Sequence, residues 1–147
     1  MKFADFQAGQ VITAGPLELS ERDIIEFAQR WDPQWFHTDP VAAAEGRHGG
    51  LIASGWQTCG VAMRLVAEAA LAGSESFASP GLQYVKWTEP VRPGDRLRVV
   101  ATVLETRCSA SKRSLGILRW RWQLYNQHDV QVLDLEATSL FDLSATR

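Results

Sequence analysis

Cysteine is scarce in this chain. Cys59 and Cys108 are the only two in 147 residues. They match no metal-ligand spacing, so no metal site is expected, and they read as reduced thiols of a cytoplasmic protein. Charge of one sign is lacking too: 15 Lys and Arg stand against 17 Asp and Glu, for a net charge of −2. No global field therefore draws the chain to nucleic acid or to anionic lipid. There is no long uninterrupted apolar run. The most apolar stretch, residues 51–71, is broken by Ser54, Gln57, Arg64 and Glu68, which disfavours a membrane span. The first residues, Met1-Lys2-Phe3-Ala4-Asp5-Phe6, carry an early acid and no apolar core, so a signal peptide is not expected. Internal repeats, low-complexity tracts and linkers rich in Pro, Gly or Ser are missing as well. One domain over residues 1–147 with one core is the expectation.

Tryptophan, by contrast, is plentiful. Six in a chain of this length point to a large apolar core, a protein interface, or both. The balance of 46% hydrophobic and 22% charged residues is that of an ordinary globular protein.

Periodicity divides the chain into a helical first half and a strand-rich second half. A short strand is expected over residues 10–13. A helix should start at Ser20, where Ser20 and Asp23 form a capping-box pattern, with Ile24, Phe27, Ala28 and Trp31 on its apolar face. Pro33 should end it near Asp32. Asp39-Pro40 reads as an N-cap followed by proline at the first helical position, opening a short helix over 41–45. The next helix should run over 55–72, with Ser54 and Gln57 as its capping box and Gly73 as its stop. With only Arg64 and Glu68 charged in its body, it should be buried on most sides. Strands are expected over 81–87, 96–106, 117–125 and 130–141. In the third of these, Leu118, Trp120, Trp122 and Leu124 face one way, and Arg119, Arg121 and Gln123 the other. One long helix and several antiparallel strands make an α+β domain, in which a curved sheet wraps the helix.

The segment Asp32-Pro33-Gln34-Trp35-Phe36-His37-Thr38-Asp39 concentrates the chemistry. A carboxylate and an imidazole five residues apart, in a short irregular segment, suit proton transfer near neutral pH. The plainer alternative is a helix-end aspartate and a packed histidine. Downstream, the Ser54 side chain can cap Trp56 or Gln57 and leave the Gly55 amide unpaired at the positive end of the helix dipole. That amide can polarise a carbonyl and stabilise the enolate formed from it. Here the plainer alternative is a glycine that only permits close packing.

These residues resemble the MaoC-like dehydratases, which include the (R)-specific enoyl-CoA hydratases. Asp32, His37 and Asp39 match an Asp-x-Asn-Pro-x-His-x-Asp pattern. Gly49, Gly50, Ile52, Ala53 and Gly55 match a Gly-Gly-x-Ile-Ala-x-Gly segment. Residues 90–97, Pro90-Val91-Arg92-Pro93-Gly94-Asp95-Arg96-Leu97, are similar to a Pro-Val-x-x-Gly-Asp-x-Leu turn. The chain departs from the family where Gln34-Trp35 stand at the Asn-Pro positions, Trp31 stands for a Gly, and Ser54 stands for a His.

The resemblance implies a hot-dog fold and a homodimer with its site at the subunit interface. It implies reversible hydration of an acyl-CoA or acyl-carrier thioester. Asp32 and His37 would act on one water, and the Gly55 amide would serve as the oxyanion hole. Ser54, Trp35 and Trp56 would border the substrate. No metal or redox cofactor is implied. Two other readings stand beside it: a hot-dog thioesterase attacking the carbonyl, and a non-catalytic acyl-binding subunit.

Overall fold

A period of two in apolar residues puts alternate side chains on one face of a strand. In the computed structural model, which describes residues 1–144, three strands obey it, the second over its whole length and the other two over part of theirs. They are β3 (Arg96–Cys108), β4 (Leu115–Tyr125) and β5 (Gln131–Asp142). Leu97, Val99, Ala101 and Val103 of β3 are buried, as are Leu118, Trp120, Trp122 and Leu124 of β4. With β1 (Val11–Glu18) and β2 (Ser76–Lys86) they form one antiparallel sheet in the order β1-β3-β4-β5-β2.

The helix α4 (Gly55–Val66), continued by a wider turn over Ala67–Leu71, lies against the apolar face of this sheet. Val61, Ala62, Leu65, Val66 and Ala70 join Trp120, Leu124 and Leu135 in the core. Each large side chain buried there contributes about 1.5–3 kcal/mol. A curved antiparallel sheet around a long helix is the α+β hot-dog arrangement that the resemblance implies. Burial of α4 is more one-sided than its composition suggests: Met63, Arg64, Glu68 and Ala69 remain exposed. A helix against a single sheet has only one flank to bury. Among the described residues no helix is long and apolar enough to cross a membrane.

Three boundaries differ from expectation. β1 continues past residue 13 to Glu18 because a bulge between Ala14 and Leu17 resets its register with β3. Gly15 makes the bulge possible: its φ is +111°, and a Cβ there would lie 2.8 Å from the Leu97 carbonyl oxygen. β2 begins at Ser76 rather than 81 and includes Pro80, which an edge strand tolerates. Its register with β5 shifts three times. Finally, α2 (Trp35–Thr38) supplies a turn of helix where an irregular segment was expected.

The helix α1 (Glu21–Trp31) starts at Ser20 with the expected capping box and buries Ile24 and Ala28. Trp31 departs from its assigned face. It is 64% exposed at the last position of the helix, beyond the core's edge, where the Arg30 guanidinium stands 4.9 Å from its ring centre. α3 (Pro40–Glu45) is capped as expected, with Asp39 accepting from the amides of Val41 and Ala42. The tryptophans thus divide. Trp120 and Trp122 fill the core, whereas Trp31, Trp35, Trp56 and Trp87 are exposed.

Candidate active site

Asp32 occupies the C-cap of α1, its N–H bonded to the Ala28 carbonyl, and Pro33 turns the chain away. The single turn of α2 then carries His37 inward, where it is only 4% exposed. The segment before α4 is stitched to this turn. The Ile52 N–H donates to the Phe36 carbonyl, and His37 Nδ1 donates to the Ile52 carbonyl at 2.7 Å. A carbonyl only accepts, so the bond places the proton of a neutral imidazole on Nδ1. Nε2 then faces Asp32 Oδ2 at 3.2 Å. Both atoms are acceptors when the imidazole is neutral, so a proton on Nε2, as in the imidazolium, makes this contact a charge-assisted hydrogen bond and couples the pair.

The carboxylate is held from both oxygens. Gln34 Nε2 donates to Oδ1 at 2.7 Å, and Ser54 Oγ donates to Oδ2 at 2.7 Å. Partial burial pushes the Asp32 pKa up. The hydrogen bonds from Gln34 and Ser54, with the charge of His37, outweigh that and hold it below the ordinary carboxylate range.

Ser54 itself is fully buried. While donating to Asp32 it accepts the Trp56 N–H at 3.3 Å, which makes it the N-cap of α4. The expected capping box with Gln57 is not formed. Gln57 turns the other way, and its amide donates to the Asp23 carbonyl of α1. The Gly55 N–H has no hydrogen-bond partner among the described residues. The space beside its Cα is occupied by Trp87: a Cβ on Gly55 would lie 2.5 Å from the indole ring, and Trp87 Nε1 donates to the Gly55 carbonyl at 2.8 Å. Close packing therefore accounts for the missing side chain, while the amide stays free.

Asp32, His37, Gly55 and Trp56 meet in one cleft of about 460 Å³, lined also by Trp87 and residues 88–91, which lead into a turn at 93–94. The turn is anchored where Ala53 N–H donates to the Val91 carbonyl and where the buried Asp95 accepts from the Arg92 amide and from Gln127. Ser54 sits behind the carboxylate rather than on the cleft wall. Trp35 also lies outside the lining: half exposed, it packs across Gly46 at the end of α3. His48 does line the cleft, and Arg92 secures its loop by donating to the His48 carbonyl at 2.7 Å.

Two contributors escaped the sequence reading. Gln34 was legible only as an amide standing at the pattern's Asn position. Trp87 reaches Gly55 from 32 residues away, which no local pattern reveals. Among the described residues no group of three or more His, Cys, Asp or Glu is placed to hold a metal ion.

A fold of this kind with an acid–imidazole pair beneath a helix N-terminus defines a MaoC-like protein. The MaoC-like domain matches residues 4–117, and the chain belongs to that family. It is 35% identical to the uncharacterised protein YdeM of Bacillus subtilis, over 95% of this chain and 98% of that one. Among solved structures, a MaoC-like dehydratase from Rhodospirillum rubrum superposes with a TM-score of 0.87 at 32% identity, covering 95% of this chain and 94% of its own. The R-hydratase PhaJ1 of Pseudomonas aeruginosa superposes with a TM-score of 0.77 at 25% identity, covering 95% and 84%.

Proposed function

We propose that this protein reversibly hydrates an enoyl thioester, carried on coenzyme A or an acyl carrier protein, to the 3-hydroxyacyl thioester. The observation that carries the reading is the Asp32–His37 pair, 3.2 Å apart with its tautomer set by Ile52, in a cleft that also presents the free Gly55 amide. The pair holds one water and removes a proton from it as the oxygen bonds to C3 of the substrate. The C2–C3 π electrons move toward the thioester, and the resulting enolate oxygen accepts a hydrogen bond from the Gly55 N–H. The proton taken from water is then delivered to C2, which completes the addition and restores the pair. Dehydration is the same path reversed. The similarity to an R-hydratase and to a MaoC-like dehydratase supports this reaction class.

The protein acts as a cytoplasmic homodimer in this reading. The motive for the dimer is β2, an edge strand exposed along most of its length, with Phe77 and Leu82 uncovered. Sedimentation at micromolar concentration should give a dimer, and a folded monomer overturns this part. The reaction is tested by loss of enoyl absorbance over short, branched, long and aromatic enoyl thioesters, with free thiol followed in parallel. Hydration without thiol release is expected. Thiol release without hydration makes the protein a thioesterase, and binding without either leaves an acyl-binding subunit.

A further inference from the structure

A cleft of about 460 Å³ has room for a body the size of a small drug molecule. A thioester of coenzyme A or of a carrier protein is far larger, so its carrier arm leaves the cleft and its phosphate lies on the surface beyond the wall. Arg92 is bound to that wall from outside. Val91, the residue before it, and His48, the residue it holds, both line the cleft. Arg92 Nη2 donates to the His48 carbonyl at 2.7 Å. Gly50 lets the side chain lie close across the loop, since a Cβ there would come 3.4 Å from Arg92 Nη1. The guanidinium is thus fixed, yet its charge is uncompensated. Asp95 turns its carboxylate to the Arg92 amide and to Gln127 instead. Among the described residues no carboxylate pairs with the Arg92 side chain, and Nη1 and Nε have no hydrogen-bond partner. Arg47, next to His48, is exposed and unpaired as well. Securing one loop carbonyl requires a donor but not a full charge with spare donors beside it.

We infer that Arg92 binds the phosphate of the 4′-phosphopantetheine arm, the group that coenzyme A and an acyl carrier protein share. This rests on the reading above, in which the substrate is a carrier-bound enoyl thioester. A guanidinium presents paired N–H groups in a fixed plane, which match two oxygens of a phosphate. The bond to the His48 carbonyl orders the side chain before the substrate arrives, so less of its rotamer freedom is lost on binding.

The test compares crotonyl-pantetheine, which has no phosphate, with crotonyl-4′-phosphopantetheine and crotonyl-CoA. The wild-type protein should favour both phosphate-bearing substrates in kcat/KM for hydration. Arg92→Gln should lower the phosphopantetheine-to-pantetheine ratio by about tenfold, the scale of one hydrogen bond to a charged group. The CoA-to-pantetheine ratio should fall equally. The loss should lie in KM rather than kcat, because the contact is the same in ground and transition states. Arg92→Lys, which keeps the charge without the paired donors, should lose less, and it carries the comparison if the glutamine variant does not fold. Saturated butanoyl forms of the same thioesters cannot be hydrated, and their calorimetric affinities should follow the same pattern. Equal losses on all of the substrates assign Arg92 to the loop alone and overturn the inference. A loss confined to the CoA thioester moves the contact to the nucleotide and overturns the assignment to the shared phosphate. Absence of hydration with the butanoyl pattern intact overturns the reaction and not the phosphate contact; hydration with unchanged ratios overturns the contact and not the reaction.

Discussion

Ser54 donates its hydroxyl proton to Asp32 Oδ2 at 2.7 Å while accepting the Trp56 amide. One side chain thus ties the N-terminus of α4 to the carboxylate carried by α1. Replacing Ser54 by alanine removes both bonds. Loss of the cap should cost about 1 kcal/mol in thermal or denaturant unfolding. Loss of the donor should raise the Asp32 pKa and reduce hydration, by less than removal of Asp32 or His37 does. Carboxyl-carbon NMR of Asp32 checks the pKa. A well-folded Ser54→Ala protein with no turnover would show that Ser54 takes a direct part in the chemistry.

Gln34 makes the matching bond to Oδ1. Asp32 is held below the ordinary carboxylate range, so it binds fewer protons in the folded state than in the unfolded chain as pH falls through that range. Its contribution to stability is present above the unfolded value, about 3.9, and is lost as pH falls through the lower folded value. Gln34→Leu should raise the folded pKa and make the protein less stable than the wild type at neutral pH. The gap should close at the acid end, where Asp32 is protonated in both proteins. Urea unfolding at several pH values checks this. A stability gap independent of pH would assign Gln34 to packing instead.

Gly55 separates packing from chemistry. Gly55→Ala keeps the backbone N–H but drives a methyl group into the Trp87 indole. Overpacking of this kind costs typically 1–3 kcal/mol. Trp87→Leu in the same chain should relieve the clash, so the two changes should be strongly non-additive in a double-mutant cycle of stability. Recovery of hydration along with stability is expected, because the amide survives in both. Additive losses would mean that the indole does not set the size of residue 55.

Most of the fold was legible because its signals are local. The Ser20–Asp23 capping box, the Asp39-Pro40 helix start and the alternation along β4 each sit within a few residues. The bulge at Gly15 and the early start of β2 were not legible, since each depends on register with a distant strand. In the site, Asp32 and His37 stood out by their spacing, and the cap at Ser54 by its position. The bond from Ser54 to Asp32 was hidden because it joins two helices across 22 residues. Trp31 was misleading because a large apolar side chain in sequence does not disclose whether its helix ends before the core does, and Trp35, expected beside the substrate, packs across Gly46 instead. His37 combines both readings of it, a packed histidine and half of an acid–imidazole pair: it is buried and donates to the Ile52 carbonyl.

That burial shapes the test of the pair. Asp32→Asn keeps the shape of the side chain and removes its charge. His37→Ala leaves a buried carbonyl without its donor, at about 1–3 kcal/mol of stability, so His37→Gln belongs beside it as a control for folding. Each single change should lower kcat/KM for hydration by ~10²–10⁴-fold, the usual worth of general acid–base catalysis. Nε2 and Oδ2 face each other at 3.2 Å, and in the proposed reaction they act on the same water and proton, so the losses should not sum. The double variant should be hardly slower than the slower single variant. Losses that add in free energy would mean that the two groups act in separate steps. Near-wild-type hydration by any of these variants, with the fold intact, would reduce Asp32 to a helix cap and His37 to a packed ring, and would remove the chemical basis of the proposed reaction.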